Sequence, residues 1–237
     1  MTAILHQLPR FFSAGRIALL LQAMGMTLAL TAIGCITGFV IAFLLVLMRR
    51  TPGLWALPFR AVSILYVEIF RRIPFLVVTY LVLFFIQAIV SDASLFTIAV
   101  IAICIYATAY TAEIIRGGLD SVARQQIEAA TAMNFGRWQT LFRVVLPQAW
   151  PVILPPAVAF MVGFIKDTAL VSQVGVFELT FRGKELNNEG FSGLLVFGTI
   201  SLLYFAMSYP LSRCGGWLER RLASSRSQRP HQRLRPS

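Results

Sequence analysis

The sequence predicts an all-α integral membrane protein of about five transmembrane helices, with its N-terminus outside and its C-terminus in the cytoplasm. Three observations carry this. Of 237 residues, 57% are hydrophobic and 13% charged, about half the charged share of a soluble domain, and the mean hydropathy is +0.74. Several apolar stretches reach the roughly 20 residues that a spanning helix needs. The basic residues gather beside one set of connections. An ordinary soluble enzyme is excluded for want of polar surface, and a disordered chain for excess of apolar residues.

The first apolar stretch covers 17–48 and stops at Arg49 and Arg50. It is long enough to span with tilt. A second covers 61–90 and carries Glu68, Arg71 and Arg72; the others cover 95–115, 152–176 and 191–212. Before the first lies a segment, 1–16, in which Ile4, Leu5, Leu8, Phe11 and Phe12 recur at helical spacing. This suits a helix lying in the outer interface, and the absence of a small-x-small site after the long apolar stretch argues against a cleaved signal. A basic tail, 214–237, follows the last stretch. It reads as a solvated, topology-fixing segment or one that touches anionic lipid.

Charge sets the orientation. One side collects Arg49, Arg50, Arg60, Arg71, Arg72, Arg116, Arg124, Arg137, Arg143, Arg213 and the arginines of the tail. The other holds only Arg10, Arg16, Arg182 and Lys184, with Lys166 inside the fourth stretch. The bias places the richer side in the cytoplasm. The net charge of +11 is therefore read as topology and not as a nucleic-acid surface. Cys35, Cys104 and Cys214 lie in or at the ends of apolar segments without metal-ligand spacing, so they read as small apolar packing residues.

The longest polar interval between spans, 117–147, is too long for a turn and reads as two short helices. The first opens at Asp120 or Ser121, good capping residues, and carries Val122, Ala129, Ala130 and Met133 on one face. The second opens after Gly136, with Trp138, Leu141, Phe142 and Val145 at i, i+3, i+4 and i+7, and ends at Pro147. A sharp reversal at Asn134 needs a left-handed backbone, which Asn accepts better than most residues. Such an element is either a cover on its own bundle or a docking element for a cytoplasmic partner.

Glu128-Ala129-Ala130, then Asn134, then Val144-Val145-Leu146-Pro147 resemble the EAA motif of ABC importer permeases. Asn134 stands where that family has Gly and Val144 where it has Ile. The runs Tyr66–Val77, Tyr110–Gly118 and Lys166–Leu170 are similar to the polar amino-acid branch, the histidine, glutamine and glutamate type. The resemblance implies a type-1 transmembrane domain over 17–213, working by alternating access. It implies a pair of cytoplasmic ATP-binding subunits, a second permease chain, identical or related, an extracytoplasmic amino-acid-binding protein, and membrane lipid around the spans. Glu128, Ala129, Ala130, Asn134, Gly136, Val144, Leu146 and Pro147 would then couple to the ATPase: Glu128 meets a basic group there, the alanines allow close approach, and Asn134 sets the bend. The chain itself binds no cofactor on this reading; ATP and Mg belong to the partner. A stand-alone secondary carrier or channel for small polar solutes is the rival.

The sequence has no G-x-x-x-x-G-K-[ST] pattern; Gly183-Lys184 is followed by Glu185. His6 and His231 form no HExxH site and no triad, and no GxSxG elbow is present. Catalysis is not expected. Ionisable residues inside spans are costly and point to function. Lys166 and Asp167 fall near the midplane if the fourth span starts near Pro156, and as direct neighbours they do not face each other on a helix. A zwitterionic amino acid could offer its carboxylate to Lys166 and its ammonium to Asp167, with Thr168 adding a hydroxyl; a purely structural polar network is the other account. Glu68 reads as a local ion cluster with Arg71 and Arg72, or as part of the pathway. Glu113 and Arg116 are expected to anchor the start of the cytoplasmic element. Gly34 and Gly38 form a GxxxG pair suited to a dimer contact or to packing within one bundle.

Overall fold

A computed structural model describes residues 2–51 and 53–227. The end of the basic tail, with Arg229, His231, Arg233 and Arg235, and the side chains of Ile4 and Leu5 lie outside the described residues. Those residues form helices with no strand: α1 Thr2–Phe11, α2 Ala14–Arg50, α3 Leu57–Phe70, α4 Phe75–Ile89, α5 Leu95–Asp120, α6 Arg124–Ala132, α7 Arg137–Thr140, α8 Leu146–Asp167, α9 Leu179–Asn188 and α10 Gly193–Ser227. A π-helical turn, Leu141–Val145, joins α7 to α8, and a 3-10 run, Thr168–Val174, follows α8.

Four segments are long and apolar enough to cross a membrane: Ala14–Arg50, Leu95–Asp120, Arg137–Val174 and Gly193–Leu222. The expected second span, 61–90, is not one straight helix. It breaks between α3 and α4, whose axes turn by 116°. Ile73 precedes Pro74, which disfavours helical backbone there, and Pro74 becomes the residue that opens α4, its carbonyl accepting from Val77 and Val78. Taken as one bent span, the pair makes a fifth.

The bundle is built on α2 against α5. A Cβ placed on Gly34 would stand 2.3 Å from Ile103 Cγ2, and one on Gly38 2.7 Å from Ala107 Cβ. Thr108 Oγ1 also donates to the Gly38 carbonyl at 3.3 Å. The GxxxG pair therefore serves close packing inside this bundle. Around it lie three buried clusters. One, with Leu30, Phe75, Ile103 and Phe164, fills the middle; one, with Phe11, Leu179 and Ile200, fills the end nearest α1; the third, with Val46, Ile115, Val145 and Ile153, fills the basic end.

The first of these end clusters refines the reading of α1. Phe11 is fully buried and packs edge-on against Phe191 at 5.3 Å, while Gln7 Oε1 accepts from Ser192 N at 2.8 Å. The helix is pinned to the start of α10 as well as lying beside the spans.

Candidate functional site

The polar interval is an elbow held at both ends. At its start, Asp120 ends α5 instead of capping the next helix. Its carboxylate is taken by Arg50, and by Arg116 at 2.7 Å, while Arg116 also pairs with Glu113. Ser121 turns its hydroxyl back to Gly118 O at 2.7 Å. The first short helix therefore opens at Arg124, with Ala123 before it and no side-chain cap.

The bend forms as its spacing requires. Asn134 has φ 59°, the one positive φ outside glycine among the described residues. Phe135 N donates to Ala130 O and Asn134 N to Thr131 O, the pair of bonds that closes a helix on a left-handed residue. The Gly136 N–H then donates to Gln139 Oε1 at 2.9 Å and α7 begins.

Pro147 does not end the second helix. The π turn moves the register so that Leu146 N donates to Leu141 O, and Val144 O accepts from the Gln148 side chain at 2.8 Å. With a side chain serving the carbonyl ladder beside it, Pro147 sits inside a helix that runs unbroken from Arg137 to Asp167. Its length is about 46 Å at 1.5 Å per residue.

The extra residue of the π turn also rotates the side chains. Trp138 and Phe142 are exposed, 65% and 52%, with Met133 at 62%; the two rings stack at 5.9 Å. Only Val145 of that face is buried and Leu141 is half-buried. Of the motif residues, Glu128, Ala129, Asn134, Gly136 and Pro147 are exposed, Val144 and Leu146 are half-buried, and Ala130 is fully buried. Glu128 is held by Arg124 at 3.0 Å, an exposed pair worth little in stability. The elbow therefore leaves Glu128, Ala129, Met133, Trp138 and Phe142 exposed.

The ion cluster around Glu68 divides. Arg72 pairs with Glu68 at 2.6 Å, whereas Arg71 turns to Glu113 at 3.8 Å. Its carbonyl accepts from Tyr110 OH at 3.2 Å, and its guanidinium lies 5.8 Å from the Tyr110 ring. These contacts fasten the α3–α4 break to α5. Lys166 and Asp167 are exposed and stand where α8 changes to 3-10 geometry, a tightening that often marks a functional hinge. Thr168 is fully buried and donates to Ile165 O at 2.7 Å, so its hydroxyl is not offered beside them. Asp167 lies within electrostatic range of Tyr106. That ring belongs to an aromatic wall of Phe75, Tyr106, Tyr110, Phe160 and Phe164, with centroids 4.7–5.8 Å apart.

One polar centre escaped the sequence reading. Glu178, fully buried, caps α9: Oε1 accepts from Phe181 N at 2.7 Å, and Oε2 from Tyr204 OH at 2.8 Å and Thr27 Oγ1 at 3.4 Å. It joins α2, α9 and α10. Burial pushes its carboxyl above the usual range, against the pull of those donors. At low pH the group is neutral in folded and unfolded chains alike. As pH rises past the ordinary carboxylate range near 4.3, the unfolded chain ionises first, so stability falls until the folded carboxyl also titrates. Glu178→Gln has no such window. The thermal midpoint of the variant relative to wild type should rise between pH 4 and pH 7; a pH-independent difference would refute the argument.

Known proteins agree with this architecture. The family described as binding-protein-dependent transport system inner membrane component matches residues 55–224. The glutamine transport system permease protein GlnP of Escherichia coli (strain K12) is 34% identical over 208 residues, covering 87% of this chain and 94% of that relative. The L-cystine transport system permease protein TcyB of Bacillus subtilis (strain 168) is 34% identical over 197 residues, 83% of each. Among solved structures, an amino acid ABC transporter superposes with a TM-score of 0.80 at 28% identity, covering 86% of this chain and 94% of the other. The MetNI methionine ABC transporter shares the fold, with a TM-score of 0.77 at 24% identity. On a match that takes in the elbow and the spans around it, this chain belongs to the inner membrane components of binding-protein-dependent transport systems.

Proposed function

We propose that the chain is the permease subunit of an ATP-driven importer of polar amino acids, paired with a second permease and served by two cytoplasmic ATPases and an extracytoplasmic binding protein. The N-terminus is outside and the elbow cytoplasmic. The observation that carries this reading is the unbroken helix from Arg137 to Asp167. It bears an exposed aromatic pair at the elbow end and the exposed Lys166 and Asp167 at the other. A continuous helix of about 46 Å links the two ends, so closure of the ATPases against the elbow displaces the charged pair within the pathway.

Lys166 and Asp167 are suited to the carboxylate and ammonium of the amino acid, and the aromatic wall lines the route beside them. Glu128 meets a basic group on the ATPase. The test is uptake of glutamine and other labelled polar amino acids into proteoliposomes holding the whole complex. Glu128→Arg should lower ATP-driven uptake about tenfold or more, because like charges set across an interface cost several kcal/mol. Inside the chain the reversal costs only a few tenths of a kcal/mol on the α6 surface. Uptake that follows an ion gradient without any ATPase, and is untouched by Glu128→Arg, would overturn the reading.

A further inference from the structure

Two hollows border Thr51, where α2 ends. The larger, about 620 Å³, has an apolar lining of Leu47, Ile127, Leu141 and Val145, together with Arg50 and Arg137. Its size falls within the roughly 300–1,000 Å³ of ligand sites. The smaller, about 240 Å³, is lined by Met48, Trp55 and Phe59 among others.

Position and charge together select an occupant. The short 3-10 turn Leu54–Ala56 leaves Trp55 92% and Leu54 80% exposed. A bare indole beside the end of a spanning helix is a headgroup-level anchor, so the hollows open where lipid headgroups meet acyl chains. No carboxylate lines either one. Arg50 shares its charge with Asp120, but exposed Arg137 has no ion-pair partner among the described residues. Arg60 donates to the Thr51 carbonyl, and its Nε is buried without a hydrogen-bond partner, which adds positive charge behind the loop. Guanidinium groups bind phosphate oxygens in pairs, and basic pockets at the cytoplasmic ends of spans suit anionic headgroups.

We propose that the larger hollow binds an anionic phospholipid, with an acyl chain along Leu47, Leu141 and Val145 and the phosphate between Arg50 and Arg137. The lipid then bridges the end of α2 to the start of the long helix, and an anionic membrane braces the elbow. The proposal goes beyond transport and does not depend on which solute moves.

The experiment is native mass spectrometry of the complex with its ATPase, after adding phosphatidylglycerol or phosphatidylcholine. Wild type should retain phosphatidylglycerol and release phosphatidylcholine. Arg137→Gln, an exposed change that spares the core, should lower phosphatidylglycerol occupancy about fivefold, the worth of one arginine near an anionic surface. Arg137→Lys should keep most of it, and Arg72→Gln in the turn between α3 and α4 should change nothing. Four outcomes overturn the proposal: equal binding of both lipids, no loss in Arg137→Gln, displacement by inorganic phosphate alone, or phosphatidylglycerol binding only after the ATPase is removed. The last would assign the hollow to the ATPase.

Discussion

Trp138→Ala should weaken association with the ATPase by at least about 2 kcal/mol, roughly 30-fold in affinity, while leaving the fold intact. Truncating a tryptophan at the centre of a protein interface commonly costs that much. The fold has little at stake, because the ring is 65% exposed and stacks on Phe142, itself exposed. Phe142→Ala should act in the same direction, and the double variant should lose less than the sum, since each ring holds the other in place. The measurement is titration of the purified ATPase onto the detergent-solubilised permease, with thermal melting as the control. Unchanged affinity with an unchanged melt would mean that the exposed pair is not the docking face. Trp138 also borders the hollow assigned to lipid; Arg137→Gln separates the two roles, since it should lose phosphatidylglycerol and keep the ATPase.

That face shows where sequence and structure part. Composition settles the membrane class because it sums over the whole chain, and the bend at Asn134 was legible because a left-handed residue is a local event. The same periodicity grouped Trp138, Leu141, Phe142 and Val145 on one stripe. The π turn at Leu141–Val145 inserts a residue into the helical count, which a pattern of 3.6 cannot register, so the aromatic pair and Val145 point differently. The break at Arg71–Pro74 was hidden for another reason: a hydropathy sum counts apolar length and is blind to direction. Glu178 lay beyond reach altogether. Its partner Thr27 is 151 residues away, and a lone Glu in a connection carries no spacing. Thr168 looked available beside two charges, yet its hydroxyl closes on the carbonyl three residues back, a common choice for threonine in a helix.

Gly38→Leu should abolish recovery of folded permease, and Gly38→Ala should cost about 1–3 kcal/mol, the range for overpacking a tight contact. The physical reason is what a new Cβ would meet: Thr108 N at 3.1 Å and Cys104 O at 3.2 Å, both backbone, besides Ala107 Cβ at 2.7 Å. None of these can rotate away, so α2 and α5 must separate along the seam that organises the bundle. Gly34→Ala should fall in the same range: the new Cβ would meet Ile103 Cγ2 at 2.3 Å and Ile103 Cβ at 2.7 Å, and that Cβ is fixed to the α5 backbone whichever rotamer the side chain takes. Gly25, with nothing within 4 Å, supplies the control: alanine there should be neutral or gain up to about 1 kcal/mol from helix propensity. Yield of folded protein tests Gly38→Leu, and thermal melts of the three alanine variants in one detergent rank the rest. Were the pair a contact between two permeases, Gly38→Ala would instead leave the isolated chain's melt unchanged and abolish only its pairing.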